Sequence, residues 1–336
     1  MLNQIKSKYV LQKIVFYLCP KSYLIIFKYN KNLRKKLEIS ENNYKKYNQI
    51  DIDIIPIEIE KNSDKHTIIN FFSVEKTYYH IFIDDKEIKR RNYLKKKDNA
   101  KKIKILIDPE IKSLKRLFYR CEYVKEITFV NFNRSDIVEM SYMFSGCINL
   151  ENINLYKFKT CNVIRMNNMF DSCSKLKQLN ISNFDTSKVV TMKKMFKGCC
   201  SLEELDLSNF NTSNVTNMSK MFRECCQLEK LNISNFNTAK VNEMYEIFFK
   251  CEKLKSLDVS SFSTSHLYTM EYMFSLCRSL IDLDISNFHM DNNTHTDDMF
   301  QGCSQELKEK IKNKIKKLIL ELWAIFKIIH NYLIIY

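Results

Sequence analysis

MFKGCCSLEELDLSNFNTSNVTNM, residues 195–218, is almost one full copy of a unit that runs through most of this 336-residue chain. Its opening Met-Phe pair recurs every 26 residues, at Met143-Phe144, Met169-Phe170, Met195-Phe196, Met221-Phe222, Ile247-Phe248, Met273-Phe274 and Met299-Phe300, with Leu117-Phe118 one row earlier. Four positions on stands a cysteine in every row: Cys121, Cys147, Cys173, Cys199, Cys225, Cys251, Cys277 and Cys303. No insertion breaks the register between residues 117 and 304.

Within a row the apolar period changes twice. Leu202, Leu205 and Leu207 form LxxLxL, a short strand with two inward side chains. Ser208-Asn209-Phe210 then marks a turn, repeated at Phe132, Phe158, Phe184, Phe236, Phe262 and Phe288. Thr160, Thr186, Thr212, Thr238 and Thr264 stand where a helix N-cap would be expected. After them, Val215, Met218, Met221-Phe222 and Cys225 are spaced by three or four residues, which predicts one face of a helix of about three turns.

A single strand-turn-helix unit of this size cannot bury its own apolar face, whereas stacked copies share a continuous core. The expected fold is therefore an α/β solenoid, a leucine-rich-repeat-like stack of about eight 26-residue units with helical N- and C-terminal caps. Phe takes the place that the turn Asn holds in the common leucine-rich motif.

The row MxxMFxxCxxLxxLxLSNFxTxxVxxM resembles the repeats of BspA-type leucine-rich-repeat surface proteins, a family that includes mycoplasma-type lipoprotein repeats. Residues 117–304 carry the resemblance. It implies a non-enzymatic, protein-binding or adhesive scaffold and names no ligand.

Composition narrows the chemistry. Three glycines and three prolines leave no Gly-rich phosphate loop. No nucleophile elbow, zinc signature or paired carboxylates appear, so no enzyme, metal or cofactor is expected. The histidines occupy no common repeat position. The Met column (Met140, Met166, Met192, Met218, Met244, Met270) and the cysteine column read as core, the latter as buried, reduced thiols. The formal charge of +15 sits at the ends: residues 1–116 hold 27 Lys/Arg against 14 Asp/Glu, while residues 117–304 hold 20 against 22. Lys greatly outnumbers Arg, the better phosphate and base reader, so nucleic acid is not the expected partner.

A protein partner, if docked on the strands, would meet the residue between the two inward aliphatics: Asn154, Asn180, Asp206, Asn232, Asp258 and Asp284, after Thr128. This polar ladder is neutral at its start and acidic at its end.

The ends are read separately. Residues 1–50 form a helical segment that either caps the repeats or loosely resembles an F-box. In the second case Leu11, Ile14, Val15, Leu18 and Pro20 would face a Skp1-like protein, and the chain would be a substrate adaptor of a ubiquitin ligase. Residues 51–116 alternate β-like runs (52–59, 78–83, 103–107) with charged stretches, 86–102 reading as a solvated loop, and lead into a degenerate first repeat at Ile111, Leu114 and Leu117. Residues 305–336 predict a C-terminal helix that covers the last repeat. The apolar tail 318–336 is long enough for a membrane anchor, the basis of a surface-adhesin alternative, but is broken by Glu321 and Lys327. The expected location is the cytoplasm, since Lys6, Lys8, Lys13 and Lys21 interrupt any signal-peptide core.

Overall fold

The computed structural model describes residues 31–36, 41–58, 65–71, 73–88, 91–289, 294–314 and 316. Two short helices, α1 (Lys31–Lys36) and α2 (Glu41–Asn48), precede the strands β1 (Ile50–Pro56), β2 (His66–Thr67), β3 (Tyr79–Ile83), β4 (Lys86–Ile88), β5 (Tyr93–Leu94) and β6 (Ile103–Ile107). The repeats contribute β7 (Val124–Asn131), β8 (Asn152–Asn154), β9 (Glu204–Asp206), β10 (Lys230–Asn232), β11 (Ser256–Leu257) and β12 (Asp282–Leu283).

The IDIDI run of β1 alternates for a half-buried strand: Ile50, Ile52 and Ile54 are buried, while Asp51 and Asp53 pair with Lys104 of the neighbouring β6 (2.9 Å) and with Lys102 just before it (2.7 Å). A six-stranded sheet results, in the order β4-β3-β6-β1-β7-β8. β1 is antiparallel to both β6 and β7, and β7 is parallel to β8. The first repeat's strand is therefore also a strand of the N-terminal sheet, and it runs eight residues where the later repeats have two or three.

Asp108, just past β6, ties this region together. Its side chain meets Lys45 at 2.7 Å, Gln49 at 2.8 Å and His80 at 3.3 Å, and its carbonyl accepts from Arg134 at 3.3 Å. Burial alone would raise the Asp108 carboxyl, but Lys45, Gln49 and His80 together hold it below the usual carboxylate value. Arg134 is buried at the row position that Thr fills in later repeats.

Beyond β7 each 26-residue coil pairs in parallel with the next, at Glu139, Arg165, Thr191, Asn217 and Glu243 among the bridges and at β9–β10 and β11–β12. The expected helical layer is not what forms: among the described residues of 112–303 the Met-Phe-Cys segments are runs of turns. The residue before each Met-Phe pair (Tyr142, Asn168, Lys194, Lys220, Glu246, Tyr272) is left-handed. So is the residue before each column cysteine (Gly146, Ser172, Gly198, Glu224, Lys250, Leu276), with φ from +53° to +79° over both sets. A helix cannot pass through a left-handed residue at every fourth position, whereas the third residue of a type II turn requires one.

The backbone hydrogen bonds follow from this geometry. Met218, Lys220, Phe222 and Glu224 donate to Glu243, Tyr245, Ile247 and Phe249 of the next coil at 2.8–3.0 Å, while Met221, Arg223 and Cys225 close turns within their own coil. Alternate N–H groups thus point along the stack and around it, and none of this set is left unpaired. The three-or-four spacing of apolar residues belongs to a helix and to this turn ladder alike.

The threonines are corrected with it. Thr212 caps no helix: its hydroxyl donates to Asn237 O (2.9 Å) and accepts from Asn237 N–H (2.7 Å), and Thr160, Thr186, Thr238 and Thr264 make the same reciprocal clamp one coil on.

The interior is as the pattern predicts. Phe118, Phe144, Phe170, Phe196, Phe222, Phe248, Phe274 and Phe300 stack with centroids 5.4–5.8 Å apart and planes within 14°. The Met column is buried beside them. The column cysteines are buried and in no disulfide, and from Cys147 onward each thiol donates to the Phe carbonyl of the preceding coil at 3.0–3.2 Å.

Two boundary expectations change. The first coil meets the antiparallel sheet through β1, with the last turn of α2 beside it, where the side-chain amides of Asn131 and Asn133 donate to the Tyr47 carbonyl. Lys86–Lys102 is no open loop: Asp84 and Asp85, both left-handed, turn β3 into β4, and Arg91 pairs with Asp98 at 2.9 Å. Ile111, Leu114 and Leu117 do form a partial first coil, bridged at Ser113–Glu139. Residues 305–314 are helical, with Leu307 fully buried; the tail 318–336 lies outside the described residues. No helix among the described residues is long and apolar enough to cross a membrane.

Candidate functional site: the exposed polar face of the coils

The strand alternation places Leu205 inward and Glu204 and Asp206 outward, and parallel pairing sets Lys230, Leu231 and Asn232 directly beside them. Repeated along the stack, this exposes all six residues of the expected ladder: Asn154, Asn180, Asp206, Asn232, Asp258 and Asp284. They are on one face, as read from the sequence.

Their oxygens already have work within the chain. Asn154 Oδ1 accepts from Tyr156 N–H at 3.1 Å, and Asn180, Asp206, Asn232, Asp258 and Asp284 accept from the N–H of Ser182, Ser208, Ser234, Ser260 and Ser286 at 2.9–3.3 Å. Each closes the turn that follows its strand, which is a sufficient reason for Asn or Asp to recur there. The acceptor bonds lower the carboxylates: Asp206 through the Ser208 N–H first, Asp258 through the Ser260 hydroxyl and then its N–H. Asp284 is brought to about 2, chiefly by Lys314 at 2.5 Å and next by the Ser286 N–H. The acidic end of the face is thus partly neutralised by the C-terminal helix. Two residues before the ladder position, Lys230 pairs with Glu204 of the neighbouring coil.

The column after the strand adds the feature that the sequence reading missed. Where later coils have Ser182, Ser208, Ser234, Ser260 and Ser286, the second coil has Tyr156, 82% exposed. It borders a shallow hollow of about 300 Å³ formed with Ile153, Leu155, Asn180 and Asn183. Its departure from the Ser that fills this column in the five later coils was the available signal. Behind the face, Asn183 reaches back to the carbonyls of Leu155 (3.0 Å) and Phe158 (2.8 Å), and Asn287 to those of Val259 and Phe262, fixing each turn to the one before.

Among the described residues, one group of three side chains has metal-ligand character: Glu271, His295 and Asp297, with ligand atoms within 4.8 Å of one another. Coil register brings them together across 26 residues. Leu11, Ile14, Val15, Leu18 and Pro20, the adaptor surface expected of an F-box, lie outside the described residues.

Residues 112–205 and 201–314, together well over half of the chain, match the model of a family described as Mycoplasma protein of unknown function, DUF285. A solved leucine-rich repeat protein from Bacteroides ovatus is similar over 61% of this chain and 85% of its own, at 15% identity and a TM-score of 0.20. No curated protein matches.

Proposed function

Since the chain belongs to the DUF285 family of Mycoplasma proteins of unknown function, we propose that it is a non-enzymatic scaffold. In this reading its leucine-rich repeats stack as a solenoid and bind a protein partner on the exposed strand face. The observation that carries this is Tyr156. A tyrosine side chain left 82% in solvent, in a column whose later copies carry serine, has a residue type enriched at protein interfaces. Because the ladder carboxylates and amides are engaged in their own turns, the reading gives them orientation and charge, and gives Tyr156 the larger share of affinity. Asn154, Asn180 and Asp206 flank it and remain exposed.

The test is a photo-crosslinking amino acid placed at Tyr156 and, as a control, at Asn162, which lies outside the strand face. A partner captured from Tyr156 and not from Asn162, and weakened by Tyr156→Ser, supports the reading. Equal capture from both positions would remove it. The adaptor and adhesin alternatives rest on residues 1–50 and 318–336 and gain no specific support from the described residues.

A further inference from the structure

Among the described residues, the buried column cysteines and the pair Cys200 and Cys226 stand in different surroundings. The column thiols are buried and bonded to carbonyls, out of reach of reagents. Cys200 and Cys226 are half-exposed, and they occupy the same row position on adjacent coils, one residue after the column cysteines Cys199 and Cys225. Both thiols donate to one oxygen, the carbonyl of Glu224, at 3.4 and 3.5 Å. The two sulfurs are therefore roughly 7 Å apart at most.

The backbone suits a bond between them. Gly198 N–H donates to Arg223 O at 2.7 Å just ahead of the pair, which locks the two coils in register. Paired neighbouring chains lie about 4.8 Å apart, within the roughly 4.4–6.8 Å Cα separation that disulfides span. Side chains of this column do reach one another: two coils on, Arg278 meets Glu252 at 3.8 Å. Cys161 provides a contrast, being half-exposed with Ser135 and Ser187 as its column neighbours.

We propose that Cys200 and Cys226 are a redox-active pair that closes into an inter-coil disulfide when the protein meets a low-molecular-weight disulfide such as oxidised glutathione, while the column cysteines stay reduced. One thiolate attacks the oxidant, forming a mixed disulfide and releasing one glutathione thiol. The second protein thiolate attacks the mixed disulfide and releases the other. Two electrons and two protons leave the protein and reduce one oxidant to two thiols. Burial first, and the neighbouring Cys200 next, raise the Cys226 thiol, so closure accelerates with pH over the mildly alkaline range.

The experiment uses the full native chain. Reduced protein is incubated with oxidised glutathione at pH 8, quenched, alkylated, digested and analysed by mass spectrometry, with fragmentation separating Cys199 from Cys200. The expected result is a peptide pair joined through Cys200 and Cys226, with Cys161 carrying at most one glutathione. Cys200→Ser should leave Cys226 with a single glutathione adduct, circular dichroism confirming that the variant is folded. Separate adducts on both residues of the wild type without a cross-link would overturn the proposal. So would failure of either thiol to alkylate in the reduced native protein.

Discussion

The N-terminal sheet and the repeat coils bury similar aliphatic and aromatic side chains by opposite means. In the sheet, β1 makes two long antiparallel pairings, and alternation along one strand decides which side chain goes inside. In the coils the strands last two or three residues, and cohesion between neighbours comes from turn N–H groups, Thr hydroxyls, Cys thiols and stacked Phe rings. Where order is carried by a strand, a sequence can drift as long as it alternates. Where it is carried by single side chains reaching one coil on, each row position must repeat its chemistry, and these rows do.

The largest difference should appear at high pH. The sheet strands between residues 50 and 107 contain no cysteine, while the coils bury eight thiols. Burial pushes Cys147 up to about 12 and raises the others. Groups whose folded pKa is raised stabilise fully below the unfolded value, about 8.5 for Cys, and that stability is lost as pH rises toward the folded value. Each such thiol weakens the fold by up to about 1.4 kcal/mol per pH unit in that window. Coil unfolding should therefore precede sheet unfolding above about pH 9; hydrogen exchange resolved by peptide would show it, and simultaneous loss of both regions would sink the distinction.

Phe222→Ala removes a ring stacked on both sides and should cost about 3–5 kcal/mol in denaturant melts. Phe300, stacked on Phe274 in the last coil and half-buried, should cost clearly less. Equal losses would mean that the stack does not act as a ladder.

On the sheet side, Asp108→Ala should cost about 2–3 kcal/mol, because Lys45, Gln49 and His80 lose a shared buried acceptor. Its carboxyl is held below the ordinary value, so the stability it provides is present above about pH 4 and lost as pH falls through the folded value. An acid titration of the variant should accordingly be flatter than that of the wild type.

Thr212→Val keeps the shape of the side chain and deletes both bonds to Asn237, for a loss of about 1–3 kcal/mol. A neutral result would return the threonines to simple packing. Smallest is Gly198→Ala: the new methyl would sit 3.4 Å from Ser172, ordinary contact, so the left-handed φ of +70° sets the penalty at about 1 kcal/mol.

Much of this was legible beforehand. The 26-residue register, the buried Met, Phe, Leu and Cys columns and the Ser-Asn-Phe turn correspond to what formed, and the β-like runs expected at 52–59, 78–83 and 103–107 overlap the strands at 50–56, 79–83 and 103–107. The resemblance to mycoplasma-type repeats agrees with the family match over residues 112–314. Alternation predicted that the six ladder residues are exposed, and they are, but it missed the reason Asp206 and Asn232 recur, which is that a turn needs their oxygens. Tyr156 was passed over because the columns were read for what repeats and not for what departs.

By itself the sequence determined which side chains are inside, because burial follows from each residue's own polarity and the period carries that decision from row to row. It could not decide helix against turns, since Val215, Met218, Phe222 and Cys225 have the same spacing in both. That choice was made by N–H groups such as Lys220 and Glu224, which bond 25 residues away to Tyr245 and Phe249. Only the tertiary stack supplies those acceptors, and with them the partners of Thr212, Cys225 and the Cys200–Cys226 pair.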